Sequence, residues 1–220
     1  GFDSVVIENF GDAPFFKGAV PTETVVAMTV IGSEIRRLVP KVALGINVLR
    51  NDAFAALTIA TMVGAEFIRV NVLSGVVASD QGIIEGQAAQ LLRERARLHS
   101  SVGILGDVRV KHAQTLSSPD LEIALEEMGL RALADGAILS GATTGRAPSV
   151  ERLQNAFEVT GRMQLPLYIG SGFSLDTAES VLPWIDGILV GSALREGGVA
   201  GHGLDSRRIK AIVQATRMLR

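Results

Sequence analysis

The stretch that decides the fold is GILGDVRVKHA at residues 103–113. Asp107, Arg109 and Lys111 occupy every second position of an apolar, β-branched run, and alternate side chains of a strand share one face. If helices cover the opposite face, these charged side chains point into an enclosed interior. Barrels of parallel strands have such interiors, whereas the central strands of a doubly wound sheet are apolar on both faces. The stretch therefore favours a barrel.

Seven short apolar runs recur along the chain, each followed by a helical pattern. The runs cover residues 4–9, 42–49, 67–73, 102–110, 136–141, 166–172 and 187–194. Strand and helix alternate with no hairpin between them, which predicts parallel βαβ units in a single domain over residues 1–220. Seven strands are one fewer than a TIM (β/α)8 barrel has, and the chain begins with Gly1 rather than methionine. We therefore expect a TIM-type barrel that lacks its first βα unit, and the alternative is a barrel of seven strands or one completed by another chain.

Composition excludes several classes of protein. A formal net charge of −2 gives no electrostatic reason to bind nucleic acid. No apolar stretch reaches the roughly 20 residues that cross a membrane, and no secretory signal is visible. The chain has no cysteine, which removes disulfides and thiolate chemistry. We expect a cytoplasmic protein without nucleic-acid partners or a membrane span, and the composition leaves open whether it forms a homo-oligomer.

Two glycine-serine pairs follow the last two predicted strands, in YIGSGFS (168–174) and LVGSAL (189–194). Glycine lets a ligand approach the backbone, and N–H groups at the start of the next helix attract anions. The corresponding loops of many barrels bind phosphate. The residues predicted to bind a phosphorylated substrate here are Gly170, Ser171, Gly172, Gly191 and Ser192. Thr144 in SGATTGRAP (140–148) joins them, and the alternative is glycine required only for turns and packing.

Charged and amide side chains converge on the same predicted mouth of the barrel. Asp107 and Lys111 are the predicted acid–base pair, with Glu8 as a third catalytic candidate, because enclosed charges need partners and have shifted pKa values. The alternative is an interior salt-bridge layer of Arg69, Asp107 and Arg109. The predicted substrate-binding side chains are Asn9, Asn47, Arg69, Asn71 and His112. For His112 the alternative is an ordinary loop histidine.

Two further features qualify this prediction. No metal-ligand spacing is visible, so we expect no cofactor, although a divalent metal stays compatible with the sequence. Residues 74–87 (SGVVASDQGIIEGQ) form a connection longer than a typical βα loop. They are expected to form either a lid or a short hairpin over the mouth.

The succession of motifs resembles the BtpA/SgcQ family over essentially the entire chain. The matching segments are VIENFGDAPFFK, VALGINVLRND, FIRVNVLSG, DQGIIEG, GDVRVKHA, SGATTG, IGSGFS and DGILVGSALR. The resemblance implies a barrel of the ribulose-phosphate-binding type. It implies two different roles, a nucleosidase-like activity in one branch and photosystem I biogenesis in the other.

The residues and the resemblance together lead to two functional hypotheses. The first is an enzyme, a hydrolase of nucleosidase type or a lyase, acting on a small phosphorylated sugar or nucleoside-type metabolite. In N-glycosidic cleavage, Glu8 or Asp107 would assist water while Lys111 or His112 helps the leaving group. The second is a non-catalytic assembly factor for a membrane complex such as photosystem I.

Overall fold

The computed structural model describes residues 1–108, 113–116, 120–141 and 148–218. The strands are β1 (Ser4–Glu8), β2 (Ala43–Asn47), β3 (Phe67–Val70), β4 (Val76–Ser79), β5 (Gly82–Glu85), β6 (Gly103–Val108), β7 (Ala113–Thr115), β8 (Gly136–Leu139), β9 (Leu167–Ile169) and β10 (Gly187–Ile188). The helices are α1 (Thr22–Leu38), α2 (Ala53–Val63), α3 (Ala88–Arg97), α4 (Leu121–Glu126), α5 (Val150–Arg162), α6 (Ala178–Val181) and α7 (Ser206–Met218).

Seven of the strands form one parallel sheet in the order β1-β2-β3-β6-β8-β9-β10, which curls into a half-barrel. Each of these strands lies within one of the seven apolar runs, so the predicted parallel barrel-type fold is confirmed. β1 and β10 are the two end strands of this sheet. Because all seven strands run in one direction, their carboxyl ends meet at a single rim.

The outer face of the sheet forms the hydrophobic core with the helices. Ile46, Ile68 and Ile104 are fully buried there. They alternate along their strands with inward-facing residues, as the period of two requires. α2 starts where the Asp52 carboxylate accepts a hydrogen bond from the N–H of Ala55 at 2.9 Å. This helix contributes the fully buried Leu57 to the core.

Carboxylates secure the amino-terminal ends of the strands in a repeated pattern. Glu66, Asp135 and Asp186 each directly precede a strand and accept the backbone N–H of a residue at the start of the preceding strand in the sheet, at 2.6–2.8 Å. Glu66 and Asp135 also bind Arg36 and Arg95, which project from α1 and α3. These interactions fix the register of the sheet at the end opposite the rim that the carboxyl ends of the strands form.

The structure corrects one expectation, that no hairpin interrupts the βα alternation. β4 and β5 pair as an antiparallel hairpin, and β7 pairs with the other edge of β4 to complete a separate three-stranded sheet. Val72, Val77 and Ile84 form a small apolar cluster at the base of this sheet. The connection at 74–87 is therefore an extra hairpin, which was one of its two expected forms.

Two aromatic rings lie against glycines on the inner face of the half-barrel. A Cβ at Gly45 would lie 2.3 Å from the ring of Phe67, and one at Gly187 would lie 2.8 Å from the ring of Tyr168. These rings occupy the amino-terminal part of the interior. Several inward positions nearer the carboxyl ends are polar, among them Asn47, Arg69 and Asp107, and these form the candidate site.

Candidate functional site

An ion pair inside the half-barrel links two strands that are neighbours in the sheet. Arg69 on β3 donates from Nε and Nη2 to the two carboxylate oxygens of Asp107 on β6, both at 2.9 Å. The Asp107 side chain is only 1% exposed, and its Oδ2 also accepts from Asn71 Nδ2 at 2.8 Å. Burial alone would lower the pKa of Arg69. The attraction and hydrogen bonds of Asp107, with the charge of Glu8, outweigh burial and raise that pKa.

A second amide–carboxylate pair lies beside this ion pair. Asn47, at the end of β2, donates from Nδ2 to Oε1 of Glu8 at 2.6 Å, because the two residues are register partners. Glu8 as a whole is exposed on the end strand β1. Burial of its carboxyl nevertheless raises the pKa of Glu8, against the lowering effect of Arg69 and of the Asn47 hydrogen bond. A carboxyl group whose pKa is raised toward neutral pH is suited to taking up and releasing a proton.

Buried side-chain oxygens without partners cluster at this end of the sheet. Within the described ranges, no hydrogen-bond partner reaches these atoms: Asn47 Oδ1, Asn71 Oδ1, Ser140 Oγ and Ser171 Oγ. They follow or end four strands of the same sheet, namely β2, β3, β8 and β9. Buried polar groups in folded proteins are nearly always hydrogen bonded, so four oxygens without a described partner at one rim mark it as the candidate site.

The strand end at Gly170 is the most closely packed part of this rim. A Cβ there would lie 2.6 Å from Cγ2 of Ile138, 2.7 Å from Ser140 Oγ and 3.3 Å from Arg69 Nη2. Only glycine lets the Ser140 hydroxyl and the Arg69 guanidinium come this close to the backbone of the turn after β9. Gly172, two residues on, has a φ of +83°, which also favours glycine.

Three other predicted residues lie in the neighbouring loops. Gly191 and Ser192 follow β10, and Ser192 begins a short 3-10 turn, Ser192–Leu194, where it is half-buried. A Cβ at Gly191 would meet nothing within 4 Å, so there is open space beside its backbone. Asn9 is fully engaged: its Oδ1 accepts from Leu49 N at 2.7 Å, and its Nδ2 contacts Leu49 O at 3.3 Å and Asp12 at 3.1 Å.

The remaining predicted residues, Lys111, His112 and Thr144, lie outside the described residues, as does Arg109. Their roles stay predictions from the sequence. The alternative interpretation of these charges is an interior salt-bridge layer, and the ion pair of Arg69 with Asp107 is the contact that it requires. It accounts for two of that layer's three members and leaves the catalytic roles of Asp107 and Glu8 as predictions.

The structure adds residues that the predicted site omitted. Ser140 directly follows β8, and only its position at a strand end signalled a role. Arg50 is buried beyond the end of β2. Burial lowers the pKa of Arg50, while the charges of Asp107 and of Asp80 at the hairpin tip oppose that shift. The charge of Asp80 thus acts on Arg50, which the sequence could not show because it depends on how the hairpin folds.

Among the residues whose placement is described, no group of three or more His, Cys, Asp or Glu side chains is arranged to hold a metal ion. Over the same ranges, no helix combines the length and apolar character needed to cross a bilayer.

Comparison with known proteins places the chain in a family. The family model described as BtpA family matches residues 1–218. The photosystem I biogenesis protein BtpA of Synechocystis is 46% identical over 215 residues, covering 98% of this chain and 74% of that protein.

Solved structures give the fold independently. Thiamine phosphate pyrophosphorylase from Pyrococcus furiosus has a TM-score of 0.62 at 15% identity, covering 100% of this chain and 83% of that one. N-(5'-phosphoribosyl)anthranilate isomerase from the same organism has a TM-score of 0.59 at 12% identity, covering 98% and 88%. At such low identity these likenesses show a shared TIM-barrel-type fold alone. The sequence relationships show more, and on them the chain belongs to the BtpA family.

Proposed function

We propose that this chain binds a small phosphorylated metabolite of the sugar or nucleoside type at the carboxyl ends of its strands and acts on it as a hydrolase or lyase. The observation that carries the proposal is the set of four buried, unpartnered side-chain oxygens beside the Arg69–Asp107 pair. A site that existed only for stability would have these atoms paired.

The phosphate is assigned to the turn after β9. Ser140 and Ser171 can donate from hydroxyls that have no other described partner, and Gly170 and Gly172 keep side chains out of the way. Arg69 Nη2 lies against the same turn and supplies positive charge. Phosphorylated compounds are also the first to test because the two enzymes of similar fold are named for them.

Glu8 is the residue to which we assign proton transfer. Asp107 is the weaker candidate, since its two oxygens already accept three hydrogen bonds from Arg69 and Asn71. The Glu8 carboxyl has one hydrogen bond from Asn47, and burial raises its pKa. In glycosidic cleavage Glu8 would take a proton from the attacking water, with Lys111 or His112 assisting the leaving group as the sequence predicts.

The experiment compares two serine variants. Ser171→Ala removes a buried hydroxyl that has no described partner, so the variant should unfold at the same or slightly higher denaturant concentration than the parent. Its affinity for ribose 5-phosphate should nevertheless fall by about 10- to 100-fold, the value of a hydrogen bond to a charged group. Ser180→Ala, at an exposed serine in α6, is the matched control and should change neither quantity.

Turnover is then screened with nucleosides, nucleotides and sugar phosphates, by chromatography of the products. Glu8→Gln should abolish any turnover found while retaining binding. If no phosphorylated compound binds the parent chain, or if Ser171→Ala binds as tightly as the parent, the proposal is wrong.

A second candidate function is assembly of a membrane complex, which the name of the Synechocystis relative supports. The surface that such a role would use is the outer side of α1, where Val26, Val30 and Leu38 are exposed. Capture of membrane-complex subunits should then be lost in Val30→Asp and retained in Ser171→Ala. The opposite pattern would favour a role that depends on the rim.

A further inference from the structure

Two amide side chains at the rim and a third on the β4–β5 hairpin share one arrangement. Asn47 Nδ2 donates to Glu8 at 2.6 Å, Asn71 Nδ2 donates to Asp107 at 2.8 Å, and Gln81 Nε2 donates to Asp80 at 2.5 Å. In each case the amide oxygen is buried and has no partner in the described parts of the chain. Asn47 and Asn71 are 1% and 4% exposed.

This arrangement fixes which way each amide faces. Because the nitrogen is committed to a carboxylate, which only accepts, the oxygen must face away from it. An amide oxygen can only accept a hydrogen bond. Leaving it buried and unpaired opposes folding, and a ligand donor removes that penalty on binding. The rim therefore offers acceptors at fixed positions.

The positions of the two asparagines limit the shape of the donor group. Asn47 pairs with Arg69 in the register of β2 and β3, and Asn71 lies two residues beyond Arg69. Strand spacing and rise put their Cα atoms about 8 Å apart. The side chains of Asn47 and Asn71, with a compact pair of hydrogen-bond donors between them, span such a distance.

The charges around these acceptors determine the kind of donor. Arg69 and Asn71 both donate hydrogen bonds to Asp107. The charges of Glu8 and Asp107 also act on Arg50. The two guanidinium groups balance the carboxylates of Glu8 and Asp107, so these four groups leave no excess negative charge to hold an ammonium donor, and neutral hydroxyl donors fit.

We infer that the ligand presents two neighbouring hydroxyls, a vicinal diol, to Asn47 Oδ1 and Asn71 Oδ1, while Gln81 on the β4–β5 hairpin receives a third donor. This inference rests on the proposed function, and it adds that the ligand must carry a vicinal diol besides its phosphate. A ribose ring meets the requirement whether it comes from a free sugar phosphate or from a nucleotide.

The test measures affinity by titration calorimetry for ribose 5-phosphate, 2-deoxyribose 5-phosphate and adenosine 5′-monophosphate. The parent chain should bind ribose 5-phosphate about tenfold more tightly than the deoxy compound, the value of one good hydrogen bond. Asn71→Ala should bring this ratio close to one. Once the ribose compound is preferred over the deoxy compound, the comparison with adenosine 5′-monophosphate identifies the source of the ribose.

A second variant keeps the test decisive if Asn71→Ala fails to fold. Gln81 lies on the hairpin turn, outside the core, so Gln81→Ala should fold and bind ribose 5-phosphate about three- to tenfold more weakly. The matched control is Gln114→Ala, at an exposed glutamine on β7 of the same small sheet. Equal affinity for the ribose and deoxyribose compounds overturns the diol inference and leaves the proposed function standing. Failure of all three compounds to bind overturns both.

Discussion

Replacing Arg69 tests whether the polar groups of β3 and β6 are enclosed. Arg69→Met keeps most of the apolar stem but removes both donors to Asp107, which lie at 2.9 Å. Asp107 is then left buried with one remaining bond, from Asn71. Removing one partner of a buried pair costs about 3–5 kcal/mol, because the other charge stays desolvated. We expect that loss in the free energy of unfolding.

The assay is urea denaturation of the parent and the variant, with an unchanged slope and a lower midpoint. Arg97→Met is the matched control, because Arg97 also makes two hydrogen bonds to one carboxylate, that of Glu94, at 2.8 and 2.6 Å. Its side chain is 68% exposed, so the control should lose much less of the free energy of unfolding than Arg69→Met. Similar losses in the two variants would show that the Arg69–Asp107 pair lies in solvent-like surroundings.

Three further changes test other parts of the structure. Gly170→Ala forces a Cβ within 2.7 Å of the Ser140 hydroxyl. The variant should lose about 1–3 kcal/mol of the free energy of unfolding in urea and should bind ligand more weakly. The control is Gly161→Ala in α5, where a Cβ meets nothing within 4 Å, and it should slightly stabilise the protein. Glu8→Gln should gain stability relative to the parent as pH rises above about 4.5. The reason is that a raised pKa means that the folded parent binds the proton more tightly than the unfolded chain does. A difference in unfolding free energy that stays constant with pH would contradict a buried Glu8 carboxyl. Asp135→Ala leaves the N–H of Ile104 unpaired and should cost about 1–3 kcal/mol while calorimetry shows ligand affinity unchanged.

Much of the fold could be predicted because strand periodicity is a local property. Each apolar run contains one strand of the parallel sheet, and the alternation around Asp107 correctly indicated an inward face. The β4–β5 hairpin was expected only as one of two forms of residues 74–87, because its strands have four residues each and give a weak periodic signal. The pairing of β4 with β7 joins segments far apart in the chain, and no local pattern encodes it.

The candidate site could be predicted less completely. The amides at Asn47 and Asn71 were identified because they fall on inward positions of strands. Ser140 was not, since its burial without a partner depends on how β8 and β9 pack together. Asn9 shows the converse, because a polar residue at a strand end looked available for substrate although backbone groups of the next loop occupy its amide.

The most direct measurement of the site is a crystal structure of the chain soaked with ribose 5-phosphate. We expect the phosphate within hydrogen-bond distance of the Ser140 and Ser171 hydroxyls and of the N–H of Gly172, with ribose hydroxyls on Asn47 and Asn71. Density for the ligand at the amino-terminal ends of the strands, or a rim that stays empty at saturating ligand, would contradict a binding site formed by these residues.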